Sequence, residues 1–240
     1  MTVAVAASEL AAIDGLSARE VLEWALTTFS PRIALASSFG AEDVVLIDML
    51  TRIDRNARIF ALDTGRLPAE TYAAIEAIRD RYGVRVEVLF PRHDAVEVLV
   101  RERGVNLFYR SVEDRKACCG IRKVEPLGRA LSGLDAWITG LRREQAVTRA
   151  DVHKAEIDGE HGGLVKVSPL ADWSWEQIWA YIHAHDVPYN ALHDRGYPSI
   201  GCAPCTRPVA PGEDLRAGRW WWELDPAAKE CGLHSRGAKA

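Results

Sequence analysis

Cysteine is scarce in this chain, with five residues in 240, and that scarcity excludes a secreted scaffold stapled together by disulfides. No hydrophobic run approaches the roughly 20 residues that a bilayer-crossing helix needs. The opening MTVAVAASELAAIDG lacks the basic segment and long apolar core of a secretory signal. Together these absences lead to the expectation of a cytoplasmic protein with no membrane association. A dominant charge sign is missing too. The formal net charge of -4 provides no basic field for wholesale binding of nucleic acid, and small anions remain as charged partners. There is no internal repeat, heptad pattern or low-complexity stretch, which excludes solenoids and coiled coils.

What is present is an alternation of short apolar runs with helical stretches. RIALASS, ARIFALDTG from Ala57, VRVEVLF from Val84 and DAWITG from Asp135 each end at a polar or glycine turn. AEDVVLIDMLTR and PAETYAAIEAIRDRY lie between the first three, with Pro68 suited to a helical first turn. The pattern predicts an α/β fold whose mostly parallel sheet carries helices on both faces. Ser17 with Glu20, and Ser174 with Gln177, mark two further helix starts. Residues 112–131 read as a helix that Gly120 and Pro126 should break or kink. The expected organisation is one domain over residues 1–225, followed by a flexible tail over 226–240.

Several motifs carry chemistry. SSFGAED places Ser37, Ser38, Phe39 and Gly40 where the first strand turns into a helix, at the sheet edge where open α/β folds bind ligands. Hydroxyls and helix-start amides suit a phosphate or sulfate there, although the motif alone equally suits an ordinary turn and is not a Walker loop. LDTGRL brings Leu62, Thr64 and Gly65 to the same edge, where they could line an adenine or ribose pocket. TGLRREQAVTR supplies Arg142, Arg143 and Arg149, whose planar forks suit bidentate anion binding, or else a solvated surface.

Cys118 and Cys119 are adjacent, and Cα atoms about 3.8 Å apart fall short of the roughly 4.4 Å at which disulfides begin. With Cys202 and Cys205 of GCAPC they make four thiols, the number that an iron-sulfur cluster or structural zinc takes. Cys231 stands apart in ECGLH, either an incidental thiol or a nucleophile carried by the tail. Arg216 and Arg219 flank GRWWWE and again favour anions.

In this order, SSFGAED, LDTGRL, KACCGIRKVEPL, TGLRREQ, GCAPCTRP, GRWWWE and KECGLH resemble the assimilatory adenylyl-sulfate (APS) reductases, relatives of the PAPS reductases. The paired cysteines with C-x-x-C resemble the cluster-bearing branch. That resemblance implies an adenine-nucleotide alpha-hydrolase-like sheet and one 4Fe-4S cluster on Cys118, Cys119, Cys202 and Cys205. It implies the reduction of APS to sulfite and AMP in sulfate assimilation and cysteine biosynthesis, with thioredoxin as reductant. Cys231 would attack the sulfur and become S-sulfocysteine. Lys123, Arg142, Arg143, Arg216 and Arg219 would hold the phosphosulfate, and Ser37, Ser38, Phe39, Gly40, Leu62, Thr64 and Gly65 would surround the nucleotide. PAPS or dual specificity is the close alternative, a zinc-bound ATP-pyrophosphatase-type protein the distant one, and a homo-oligomer is left open.

Overall fold

The computed structural model describes residues 5–223 and 232–233. Ser17 caps its helix as the sequence predicts. Its hydroxyl accepts from the Glu20 amide, and the Glu20 carboxylate accepts from the Ser17 amide at 2.8 Å. After α1 (Ala7–Ile13) and α2 (Ala18–Phe29) come β1 (Ile33–Ser37), α3 (Ala41–Ile53), β2 (Ile59–Leu62), α4 (Ala69–Tyr82), β3 (Val86–Leu89) and α5 (His93–Arg103). The order continues with α6 (Val112–Cys119), α7 (Glu125–Leu131), β4 (Ala136–Ile138), β5 (Ala155–Asp158), β6 (Leu164–Val167) and α8 (Trp175–Ala184).

The strands form one sheet in the order β3-β2-β1-β4-β6-β5, parallel except at its β5 edge. Side chains alternate across it. Ile33, Leu35, Ile59, Ala61, Ala136, Ile138, Val165 and Val167 enter the larger core with residues of α2, α3, α4 and α8. Ala34, Phe60 and Trp137 point the other way, onto Leu127 and Leu131 of α7. Helices therefore cover both faces, as expected. Asp48 ties three of them together: its carboxylate accepts from Arg52 on its own helix, from Tyr82 of α4 and from Tyr181 of α8.

Three local expectations shift. Pro68 caps α4 from outside the helix, in extended backbone. Gly120 and Pro126 leave the chain helical. A π-helical turn, Gly120–Val124, joins α6 to α7, and Pro126 falls in the first turn of α7, where no intrahelical amide is needed. The antiparallel pair β5–β6 goes beyond the expected strands. Each strand is four residues long and carries charged side chains, which hides it from a search for apolar runs.

Candidate active site

Between β1 and β4 the strand order changes direction, with β2 and β3 to one side and β6 and β5 to the other. Backbone turns diverge at such a point and leave a crevice beyond the carboxyl ends of the strands. A cavity of about 220 Å³ opens there, lined by the turn after β1, by Leu62 and by the turn after β4.

The β1–α3 turn is held from inside. Phe39 is buried at a left-handed φ of 57°, a conformation that a bulky residue adopts only when its surroundings enforce it. The Phe39 amide donates to Ser37 Oγ at 3.1 Å, and the Ser38 amide and hydroxyl both donate to Asp43, at 2.6 and 2.7 Å. Gly40 opens α3 without a side-chain cap, and the start of this helix lines the crevice.

Burial pushes the Asp43 carboxyl up to about 6, against the pull of the Ser38 hydrogen bonds. Between about pH 4 and pH 6 the folded protein therefore holds a proton that the unfolded chain has released. Stability falls as pH rises through that window, by about 3 kcal/mol in total. Urea unfolding of Asp43→Asn between pH 4 and 7 is expected to lack this decline; a variant as pH-dependent as the native protein would refute the assignment.

Asp43 also limits the facing turn. A Cβ added to Gly140 would lie 2.4 Å from Asp43 Oδ1 and 2.9 Å from Glu42 Cβ. Gly140→Ala must spread the β1 and β4 turns apart. A loss of about 1–3 kcal/mol in stability is expected, readable by thermal unfolding.

The cations sort into two kinds. Arg142 is wholly buried, but its charge is balanced by Glu42 at 2.8 Å and Glu144 at 2.9 Å. Arg143 lies outside the cavity lining. It donates to the Val152 carbonyl at 2.8 Å and sits 3.7 Å from Asp14. Arg219, only 6 % exposed, lines the cavity with no carboxylate partner among the described residues. It donates weakly to Ser199 Oγ and the Ile200 carbonyl, and its Nε has no acceptor. Lys123, from the π turn, and Arg216 line the same cavity. So do Ser37, Ser38, Phe39, Gly40 and Leu62, while Thr64 and Gly65 do not. The Thr64 carbonyl accepts from Arg122 at 2.6 Å, and its hydroxyl lies 3.2 Å from Cys202 Sγ. Cys231 lies outside the described residues, but Leu233, two positions on, lines the cavity.

The family description "Phosphoadenosine phosphosulfate reductase domain" matches residues 32–208. The chain belongs to this reductase family. Within it, the chain is 56% identical over 204 residues to the adenosine 5'-phosphosulfate reductase of Allochromatium vinosum, covering 85% of this chain and 79% of that one. It is 48% identical over 224 residues to the enzyme of the same name from Pseudomonas aeruginosa, covering 91% and 82%. The phosphoadenylyl-sulfate reductase of Candida auris, solved as a phosphate complex, superposes with a TM-score of 0.74 at 28% identity, over 86% of this chain and all of that one. Yeast FAD synthetase, at 13% identity and a TM-score of 0.57, over 84% of this chain and 67% of that one, shares the fold alone.

The cluster-bearing branch is a different matter, and here the sequence expectation is corrected. In this reductase-family chain Cys118, Cys119, Cys202 and Cys205 line one small pocket, without a disulfide. Among the described residues, however, no three His, Cys, Asp or Glu side chains gather so as to hold a metal ion. The pocket measures about 20 Å³, room for roughly one water rather than a cube of iron and sulfur. Burial raises the Cys118 thiol and pushes Cys205 up to about 12. The residues do not fit a 4Fe-4S cluster, and the iron-sulfur and metal-binding expectations fall with it.

Several cavity residues escaped the sequence reading of this reductase. Asp43 and Glu42 lie inside the quoted SSFGAED, where only their burial and their pairing with Ser38 and Arg142 reveal a role. Gln145 binds the Gly140 carbonyl at 3.0 Å and accepts from the Arg142 amide, closing the β4 turn. Trp175 opens α8, whose Ser174–Gln177 pair was read only as a helix start, and His193 arrives from a segment with no motif at all.

Proposed function

We propose that this protein reduces adenylyl sulfate to sulfite and AMP for sulfate assimilation, with a dithiol such as thioredoxin as the electron source. The observation that carries the reading is Arg219, a buried guanidinium lining the nucleotide-sized crevice with no carboxylate to balance it among the described residues. A charge left unbalanced at such a site is stabilised by an anionic ligand. Relatives with half or more of their aligned residues in common bear the name adenosine 5'-phosphosulfate reductase, which specifies the anion.

The β1 turn and the α3 amides hold the nucleotide, and Lys123, Arg216 and Arg219 face the phosphosulfate. The Cys231 thiolate attacks the sulfur. A sulfur-sulfur bond forms, the bond between sulfur and the phosphate oxygen breaks, and AMP leaves with the electron pair. The cations lower the repulsion that the sulfonyl oxygens impose on the thiolate. One thiolate of the reductant then attacks the Cys231 sulfur and sulfite departs. The second thiolate frees Cys231 and leaves the reductant as a disulfide. Residues 1–225 act in this reading as the reductase domain, and 226–240 deliver Cys231, supported by the place of Leu233 in the cavity lining. The cytoplasm, where such dithiols are kept reduced, is the fitting compartment. Among the described residues no helix is long and apolar enough to cross a membrane.

The experiment is sulfite release by the purified protein with thioredoxin, on APS and PAPS in parallel. A kcat/KM for APS at least tenfold above that for PAPS is expected. No sulfite from APS would end the reading, and equal values would make the enzyme dual-specific.

A further inference from the structure

Arg219 is held by stacking rather than by a carboxylate: its guanidinium carbon lies 4.8 Å from the centroid of the Trp220 ring. The same ring is approached at 4.6 Å by Arg115, a wholly buried arginine of α6. Arg115 makes a two-pronged pair with Glu223, Nε to Oε1 and Nη2 to Oε2, both at 2.8 Å, with Glu223 itself buried. Two cations thus share one aromatic ring while one carboxylate serves only the far one. Trp220 has a left-handed φ of 42°, a conformation that persists only where the surroundings over-determine it. The Arg115–Glu223 pair and the Trp220 amide bond to the Cys205 carbonyl, at 3.2 Å, supply that determination.

We propose that Arg115 and Glu223 are a positioning pair that sets Arg219 at the sulfate end of the cavity by clamping Trp220 from behind, without touching substrate. The inference rests on the reading of Arg219 as a phosphosulfate ligand. Arg115 lies two turns before Lys123, so the clamp also fixes the arginine arm relative to the turn that presents Lys123. A lysine at 115 keeps the charge but loses both the fork and the planar stacking surface. A Met/Leu pair at 115 and 223 removes both charges together, so neither is orphaned.

The test measures APS affinity by calorimetry in a Cys231→Ser background, kcat/KM for APS in the native background, adenosine inhibition and thermal unfolding. Arg115→Lys and the Arg115→Met/Glu223→Leu double variant are expected to fold, to lose about tenfold or more in APS affinity and kcat/KM, and to keep adenosine inhibition within about threefold. Adding Arg219→Ala to either is expected to cost nothing beyond Arg219→Ala alone, because the clamp acts through that arginine. Additive losses, equal losses for adenosine and APS, or unchanged APS affinity in the folded double variant would overturn the clamp. If Arg219→Ala itself left APS affinity intact, the clamp would have nothing to position and would fall too. Failure of the native protein to bind APS would instead reject the proposed function.

Discussion

Cys231→Ser is expected to release no measurable sulfite from APS, a fall of more than about 10⁴ in turnover, with APS binding retained. Removing a nucleophile from a covalent mechanism typically costs that much or more. Here the serine oxygen fails twice. It is un-ionised at neutral pH and a poor nucleophile toward sulfur. Any serine sulfate it formed would also lack the sulfur-sulfur bond that a dithiol must attack to release sulfite. Binding is expected to persist because the proposed nucleotide contacts belong to β1, α3 and the β4 turn, and among the described residues of the Cys231 segment Leu233 lines the cavity. Steady-state sulfite assays and APS calorimetry on the same preparation check both halves. Full turnover by the variant would eliminate the S-sulfocysteine route.

Arg219→Ala is expected to lower kcat/KM for APS by about 10² to 10³ while leaving thermal stability nearly unchanged, the size of effect seen when one preorganised donor to a developing charge is removed. The reason is the absence of a carboxylate partner among the described residues: alanine strands no anion, and what is lost is two weak hydrogen bonds and the stacking contact with Trp220. Arg142→Ala is expected to behave in the opposite way. It orphans Glu42, which is largely buried, and destabilises the fold by about 3–5 kcal/mol. Thermal unfolding and kcat/KM measured on both variants separate a ligand-facing arginine from a loop-fixing one. Gly201 offers a milder route to the same site, since a Cβ there would lie 2.2 Å from Arg219 Nη2 and must displace the guanidinium.

The reductase fold was readable because its signals are local. The Ser17 and Ser174 caps, the apolar runs of β1, β2 and β4, and the hydroxyl and glycine turn after β1 each depend on neighbours within a few residues. The β5–β6 hairpin was hidden because charged residues such as Glu156 and Lys166 sit within its strands. Lys166 is nonetheless buried, its ammonium 5.4 Å from the Trp137 ring, a tertiary contact that overrides its solubility. Cys118, Cys119, Cys202 and Cys205 show the limit from the other side. Their spacing suggested a cluster, and the chain does bring them to one pocket, but the pocket is too small for a cube and among the described residues no three metal-ligating side chains gather to hold a metal ion.

Arg142 and Arg143 are adjacent and chemically identical, so sequence by itself determined only that the β4 turn carries cations near a ligand-binding edge. Which cation keeps an unbalanced charge was decided by carboxylates remote in the chain: Glu42, 100 residues before Arg142, and Glu223, 108 after Arg115. Helix caps and strand periods act over a few residues and are written into the local order of the amino acids. Charge balance acts through space in a buried, poorly screened interior, and only the packed sheet determines which partners meet there.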